Sequence, residues 1–116
     1  ITILGLSFKA NTDDVRNSAS VKLIKLLLKK GYKVNSYDPK AKYSLKNENY
    51  LQFDDLYSSL NKSNCAVIMT EWDDFKNLDF IKISKLMSSN IILDMRNIID
   101  KGNKNLSDFK LYSLGS

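Results

Sequence analysis

Short apolar, β-rich runs separated by helical patterns decide what this chain can fold into. Ile1 to Leu6, Lys33 to Tyr37, Cys65 to Met69, Asn90 to Met95 and Phe109 to Leu114 each have strand length and polar flanks. Between the first two, Val21, Ile24, Leu27 and Leu28 recur at three- and four-residue spacing from Ser18 to Lys30. Asn17 or Ser18 caps that amphipathic helix and Gly31 ends it. Asp38-Pro39 stops the second strand, because proline has no N–H for a ladder and disfavours helix at the residue before it. Residues 40–50 are polar and aperiodic and read as a surface loop, with Tyr50 to Phe53 a short edge strand. Asp54 to Leu60 and Asp79 to Met87 read as short helices. Strands alternating with helices predict an α/β fold in three layers, a mostly parallel sheet of five or six strands with helices on both faces.

A length of 116 residues allows one domain with one core. The chain has no His and one Cys, Cys65. A Ser-His triad, a disulfide framework and ordinary zinc ligation are therefore excluded. No run reaches the roughly 18 apolar residues that cross a bilayer, and no secretory leader pattern opens the chain, so the expected compartment is the cytoplasm with no membrane partner. The chain enters an apolar strand directly at Ile1, which reads as a piece of a longer polypeptide. A net charge of +5 suits anionic partners but also serves solubility. The lysines at 22, 25, 29 and 30 read as the solvated face of their helix, and no nucleic-acid site is expected from them.

In a parallel sheet of this kind the ligand crevice lies at the carboxyl ends of the strands, where strand order reverses. The segments that leave those ends are Ser7-Phe8-Lys9 with the loop to Arg16, Asp38-Pro39, Thr70-Glu71-Trp72 and Arg96-Asn97. They should form an electropositive rim through Lys9, Arg16 and Arg96. The first loop has only Gly5, so it is neither a three-glycine dinucleotide fingerprint nor a P-loop. An anion could instead meet Lys9, Arg16 and the N–H groups at the helix start near Ser18. The plainer reading pairs those two cations with Asp13 and Asp14 at the surface. Asp13-Asp14 also suggests a phosphoacceptor receiver domain, but the expected Asp and Lys after later strands are missing. Cys65 reads as a buried small hydrophobe, slow toward thiol reagents. Trp72 and Phe75 could stack on a base, although an aromatic there more often packs over the sheet edge.

Gly5-Leu6-Ser7-Phe8-Lys9 followed by Thr12-Asp13-Asp14-Val15-Arg16-Asn17-Ser18 resembles the opening of the C-terminal, UDP-binding domain of the UDP-glucose and GDP-mannose dehydrogenase family. The resemblance continues in order through Tyr37-Asp38-Pro39, Thr70-Glu71-Trp72-Asp73 with Phe75, and Asp94-Met95-Arg96-Asn97. It implies a Rossmann-like domain that closes over a nucleotide sugar against an NAD-binding N-terminal domain and a central segment of the same polypeptide. The family oxidises the C6 hydroxyl of a UDP-sugar to a carboxylate in two hydride transfers to NAD, with a catalytic Cys carried upstream. Cys65 does not sit in that motif. By the same resemblance Phe8, Lys9 and Arg96 contact the substrate, Arg16 reaches the NAD, and the full-length protein is a homo-oligomer. Asn17-Ser18-Ala19-Ser20 stands where the family often has Ser-Pro, which leaves glucose and N-acetylated hexosamines both open as the sugar. The alternatives are a free-standing nucleotide-binding or regulatory flavodoxin-like module and a basic interaction domain.

Overall fold

The computed structural model describes residues 1–7, 10–11, 14–15 and 18–114. Phe8, Lys9 and Arg16, which are three of the four expected site residues, lie outside the described residues, as does Asp13. In chain order the elements are β1 Thr2–Leu4, α1 Ala19–Lys29, β2 Val34–Tyr37, β3 Tyr50–Gln52, α2 Leu56–Leu60, β4 Ala66–Ile68, α3 Asp73–Lys76, α4 Phe80–Leu86, β5 Ile91–Asp94 and β6 Lys110–Ser113. A 3-10 turn at Lys104–Leu106 precedes β6.

All six strands join one sheet in the order β3-β2-β1-β4-β5-β6, and each neighbouring pair is parallel. This is the doubly wound order in which the direction of winding reverses between the first and fourth strands. A flavodoxin-like sheet would run 2-1-3-4-5, so the order speaks against that alternative. Ser18 caps α1 by accepting a 3.1 Å bond from the Val21 N–H, and Gly31 follows the helix at φ +91°, where a side chain would strain. Asp55 and Asp79 cap α2 and α4 in the same way through the N–H groups of Ser58 and Lys82.

The two faces of the sheet are covered unequally. On one, Leu4, Ala66, Ile68 and Ile92 pack against Leu56 and Leu60 of α2, Phe75 of α3, Phe80 and Ile83 of α4, and Leu106. On the other, Ile3, Val34, Tyr50 and Val67 meet Ile24 and Leu28 of α1. The β2–β3 connection joins this second layer and is more than a surface loop. Ala41 is fully buried, and Gln52 holds the loop by accepting from Tyr43 N–H at 2.8 Å and donating to the Ala41 carbonyl at 3.0 Å. Among the described residues α1 is the sole helix on this face.

Two expectations need correction as a result. The run from Asn90 to Met95 reads in the sequence as another buried strand, but β5 alternates half-buried Ile91 and Leu93 with buried Ile92 and Asp94. Cys65 is not core: it is half-buried and lines an open apolar groove beside α1. No helix among the described residues is long and apolar enough to cross a membrane.

Candidate functional site

The reversal of strand order places the carboxyl ends of β1 and β4 side by side, and two residues fix how closely they approach. Gly5 follows β1 at φ +99°, and any Cβ there would lie 2.9 Å from the Thr70 backbone nitrogen and closer still to its side chain. Thr70 is fully buried, and its hydroxyl has no hydrogen-bond partner among the described residues. The floor of the crevice is thus a direct contact between two strand ends.

Two buried carboxylates hold the loops on either side of that floor. Asp38, at the end of β2 and 3% exposed, accepts through Oδ2 from the N–H groups of Leu6 at 2.8 Å and Ser7 at 3.4 Å. Its Oδ1 accepts from Lys40 at 2.8 Å and Ala41 at 2.7 Å. One side chain therefore ties the loop after β1 to the loop after β2. Asp94, fully buried at the end of β5, accepts from the N–H groups of Arg96 at 3.2 Å and of Ile98 and Ile99 at 2.8 Å each. That bonding folds the chain back at Asn97, which takes φ +57°, a region Asn tolerates better than most residues. The outcome is a fixed stalk for Arg96.

Sequence reasoning missed these roles for Asp38 and Asp94. The available signal was an Asp at a strand end followed by a turn, since such side chains bond N–H groups two and three residues ahead.

Arg96 stands on the rim as expected, with its side chain 37% exposed and its Nη2 3.2 Å from Glu71 Oε1. Glu71, from the loop after β4, was read only as part of a motif. The pair separates two clefts across the carboxyl ends. One, of about 310 Å³, is lined by Ala10, Asn11, Glu71, Trp72, Asp73 and Lys76. The other, of about 260 Å³, is lined by Ser7, Ala19, Ser20, Met69, Met95, Arg96 and Leu114. In the second, Arg96 shares a wall with the first turn of α1, where the helix dipole favours negative charge. A planar cation opposite a helix start is an arrangement that accepts phosphate or carboxylate oxygens.

The aromatic expectations divide. Phe75 is fully buried and meets Tyr37 edge to face at 6.3 Å, so it is core and not a stacking platform. Trp72 does both jobs: its ring packs partly against the helical core and lines the first cleft, while its indole N–H is buried without a partner among the described residues. Cys65 precedes β4 at the amino end of the strands, away from the rim. Burial pushes its thiol above the ordinary value. Neither position nor ionisation suits it to chemistry at the clefts.

Comparisons with known proteins fit this geometry. Residues 2–101 match the model of the UDP-glucose/GDP-mannose dehydrogenase family, UDP binding domain. A UDP-glucose 6-dehydrogenase from Rickettsia conorii is 40% identical over 120 residues, covering all of this chain and 28% of the relative. Among solved structures, a UDP-D-ManNAc dehydrogenase from Pyrococcus horikoshii superposes with a TM-score of 0.81 at 30% identity, over 98% of this chain and 25% of that one. A UDP-glucose dehydrogenase from Pyrobaculum islandicum gives 0.73 at 29% identity, over 97% and 24%. The chain spans about a quarter of the length of these proteins. With its six-stranded doubly wound sheet and a family match across most of its length, the chain belongs to the UDP-glucose/GDP-mannose dehydrogenase family, as the UDP-binding domain.

Proposed function

We propose that this chain is the nucleotide-sugar-binding part of a longer NAD-dependent UDP-sugar 6-dehydrogenase, which converts the C6 hydroxyl of a UDP-sugar to a carboxylate and yields a UDP-uronic acid. The observation that carries the reading is Arg96, anchored by Asp94 and sharing a cleft with the first turn of α1, within a chain of this family. In this reading Arg96 bonds the substrate diphosphate through its planar fork, and Phe8 and Lys9 contact the same nucleotide sugar from the loop after β1. Arg16, at the approach to α1, meets the NAD side of the closed cleft. The cofactor supplies hydride acceptance and is bound mainly by another domain of the polypeptide. The residues described here supply binding and orientation, and the catalytic Cys lies elsewhere in the longer chain. The working protein is a cytoplasmic homo-oligomer.

The test titrates UDP, UDP-glucose and a UDP-N-acetylhexosamine into the 116-residue chain and into Arg96→Ala, with NAD reduction followed in parallel. Weak UDP binding is expected, because half a cleft lacks the pre-organised contacts of the other half. Arg96→Ala should lower it by about 1.5 to 3 kcal/mol, the scale of a hydrogen bond to a charged group. No NAD reduction is expected from the chain alone. Equal binding by the variant would remove Arg96 from the substrate site, and steady NAD reduction would show that the chain is not a part but a whole enzyme.

A further inference from the structure

The sheet is covered on one face and only partly covered on the other. Over β4 and β5 the α1 face presents Val67, Met69, Leu93 and Met95, and the groove between them and α1 has a volume of about 340 Å³ and apolar side chains along its walls. Tyr112 of β6, paired in register with Leu93, carries the apolar strip onward at 57% exposure. Helix α1 is itself wider in its apolar stripe than its sheet contact needs. Ile24 and Leu28 are buried, yet Leu23 and Leu27 face the groove, and Leu26, one turn beyond Leu23, is 50% exposed. Parallel sheets are covered on both faces because their strands are apolar on both. Here no described residue supplies the cover.

We propose that the groove seats an amphipathic helix of the same polypeptide, formed by residues that precede Ile1 in the longer protein. Ile1 is both the residue before β1 and a wall of the groove, so a segment arriving at β1 passes the groove mouth. The proteins this chain resembles carry it as about 28% of their length, which leaves ample polypeptide to provide the cover. The groove runs from Cys65 at the amino ends to Met69 at the carboxyl ends, about 13 Å at strand rise. About nine residues of helix span that distance. Its apolar residues recur at i, i+3, i+4 and i+7, and it runs against the strands before turning into β1. The inference does not depend on what the rim binds.

Cys65 is a native probe of the groove wall. The reading frame encoding residues 1–116 should be expressed twice, once as this chain and once with all the residues encoded ahead of Ile1. A small maleimide is then applied to both under native and denaturing conditions, with sedimentation of the short chain in parallel. The expected result is native labelling at least tenfold slower in the long protein, with the short chain monomeric. Met95→Glu should restore fast labelling in the long protein and leave the short chain folded. Equal native rates would overturn the proposal, as would the absence of any encoded residues ahead of Ile1. Slow labelling of the short chain overturns it too: with dimerisation the occupant is a second copy, and without it the groove is closed by the chain itself.

Discussion

Asp38→Ala offers the sharpest test of how the rim is held. The substitution removes the acceptor of four backbone N–H groups at 2.7 to 3.4 Å. Two of them belong to fully buried residues, Leu6 and Ala41, and water cannot replace the carboxylate there without opening the loop. A buried donor left unsatisfied costs about 1 to 3 kcal/mol. The other two contacts add less, since Lys40 is exposed and the Ser7 bond is long. The expected loss is therefore about 3 to 5 kcal/mol, read as a lower urea midpoint by far-ultraviolet circular dichroism with an unchanged denaturant slope. Asp54→Ala is the control, because that carboxylate is 93% exposed and pairs with Lys42 at the surface. It should leave the midpoint where it is. If Asp38→Ala lost under about 1 kcal/mol, the loops would be held by something other than this carboxylate, and the reasoning for a fixed rim would fail.

Three further outcomes follow from particular contacts. Gly5→Ala places a Cβ against Thr70 at a positive φ and should cost more than about 2 kcal/mol, combining backbone strain with overpacking; Thr70→Ala in the same chain should recover only part, since the Thr70 backbone nitrogen remains in the way. Ser18→Ala removes the α1 cap and should cost about 1 kcal/mol in the same unfolding assay. Because burial raises the Cys65 thiol in the folded chain, the folded state keeps a proton that the unfolded state has released, and stability must fall as pH rises. The contribution is constant below the unfolded thiol value of about 8.5 and declines above it. The difference between the wild-type and Cys65→Ser stability curves from pH 7 to 10 isolates this effect, and a flat difference would contradict the assigned burial.

How much of this was legible in the sequence depended on whether the signal was local. Ser18 and Gly31 bracket α1, and Asp38-Pro39 marks the end of β2, because caps and prolines act through their immediate neighbours. The position of Arg96 on the rim followed from its place after a strand. Strand order and the half-bare sheet were not readable. Ile91, Ile92 and Leu93 are apolar on both faces whether their cover is present or supplied from elsewhere, so β5 could only be read as buried. Asp38 and Asp94 were ambiguous for a related reason: a carboxylate at a strand end can face a ligand or its own loop, and only the course of the following backbone decides.

The contact between Gly5 and Thr70 decides the kind of grip this domain has on an anion. In a dinucleotide fold a glycine after the first strand leaves an empty volume into which a pyrophosphate settles against the main chain. Here that volume belongs to a neighbouring threonine. In the proposed reading the ligand lies farther out, against Arg96 and the start of α1. In that reading charged side chains carry more of the grip than main-chain amides do, so binding weakens as ionic strength rises. A domain built this way holds its ligand firmly only when another surface closes over it.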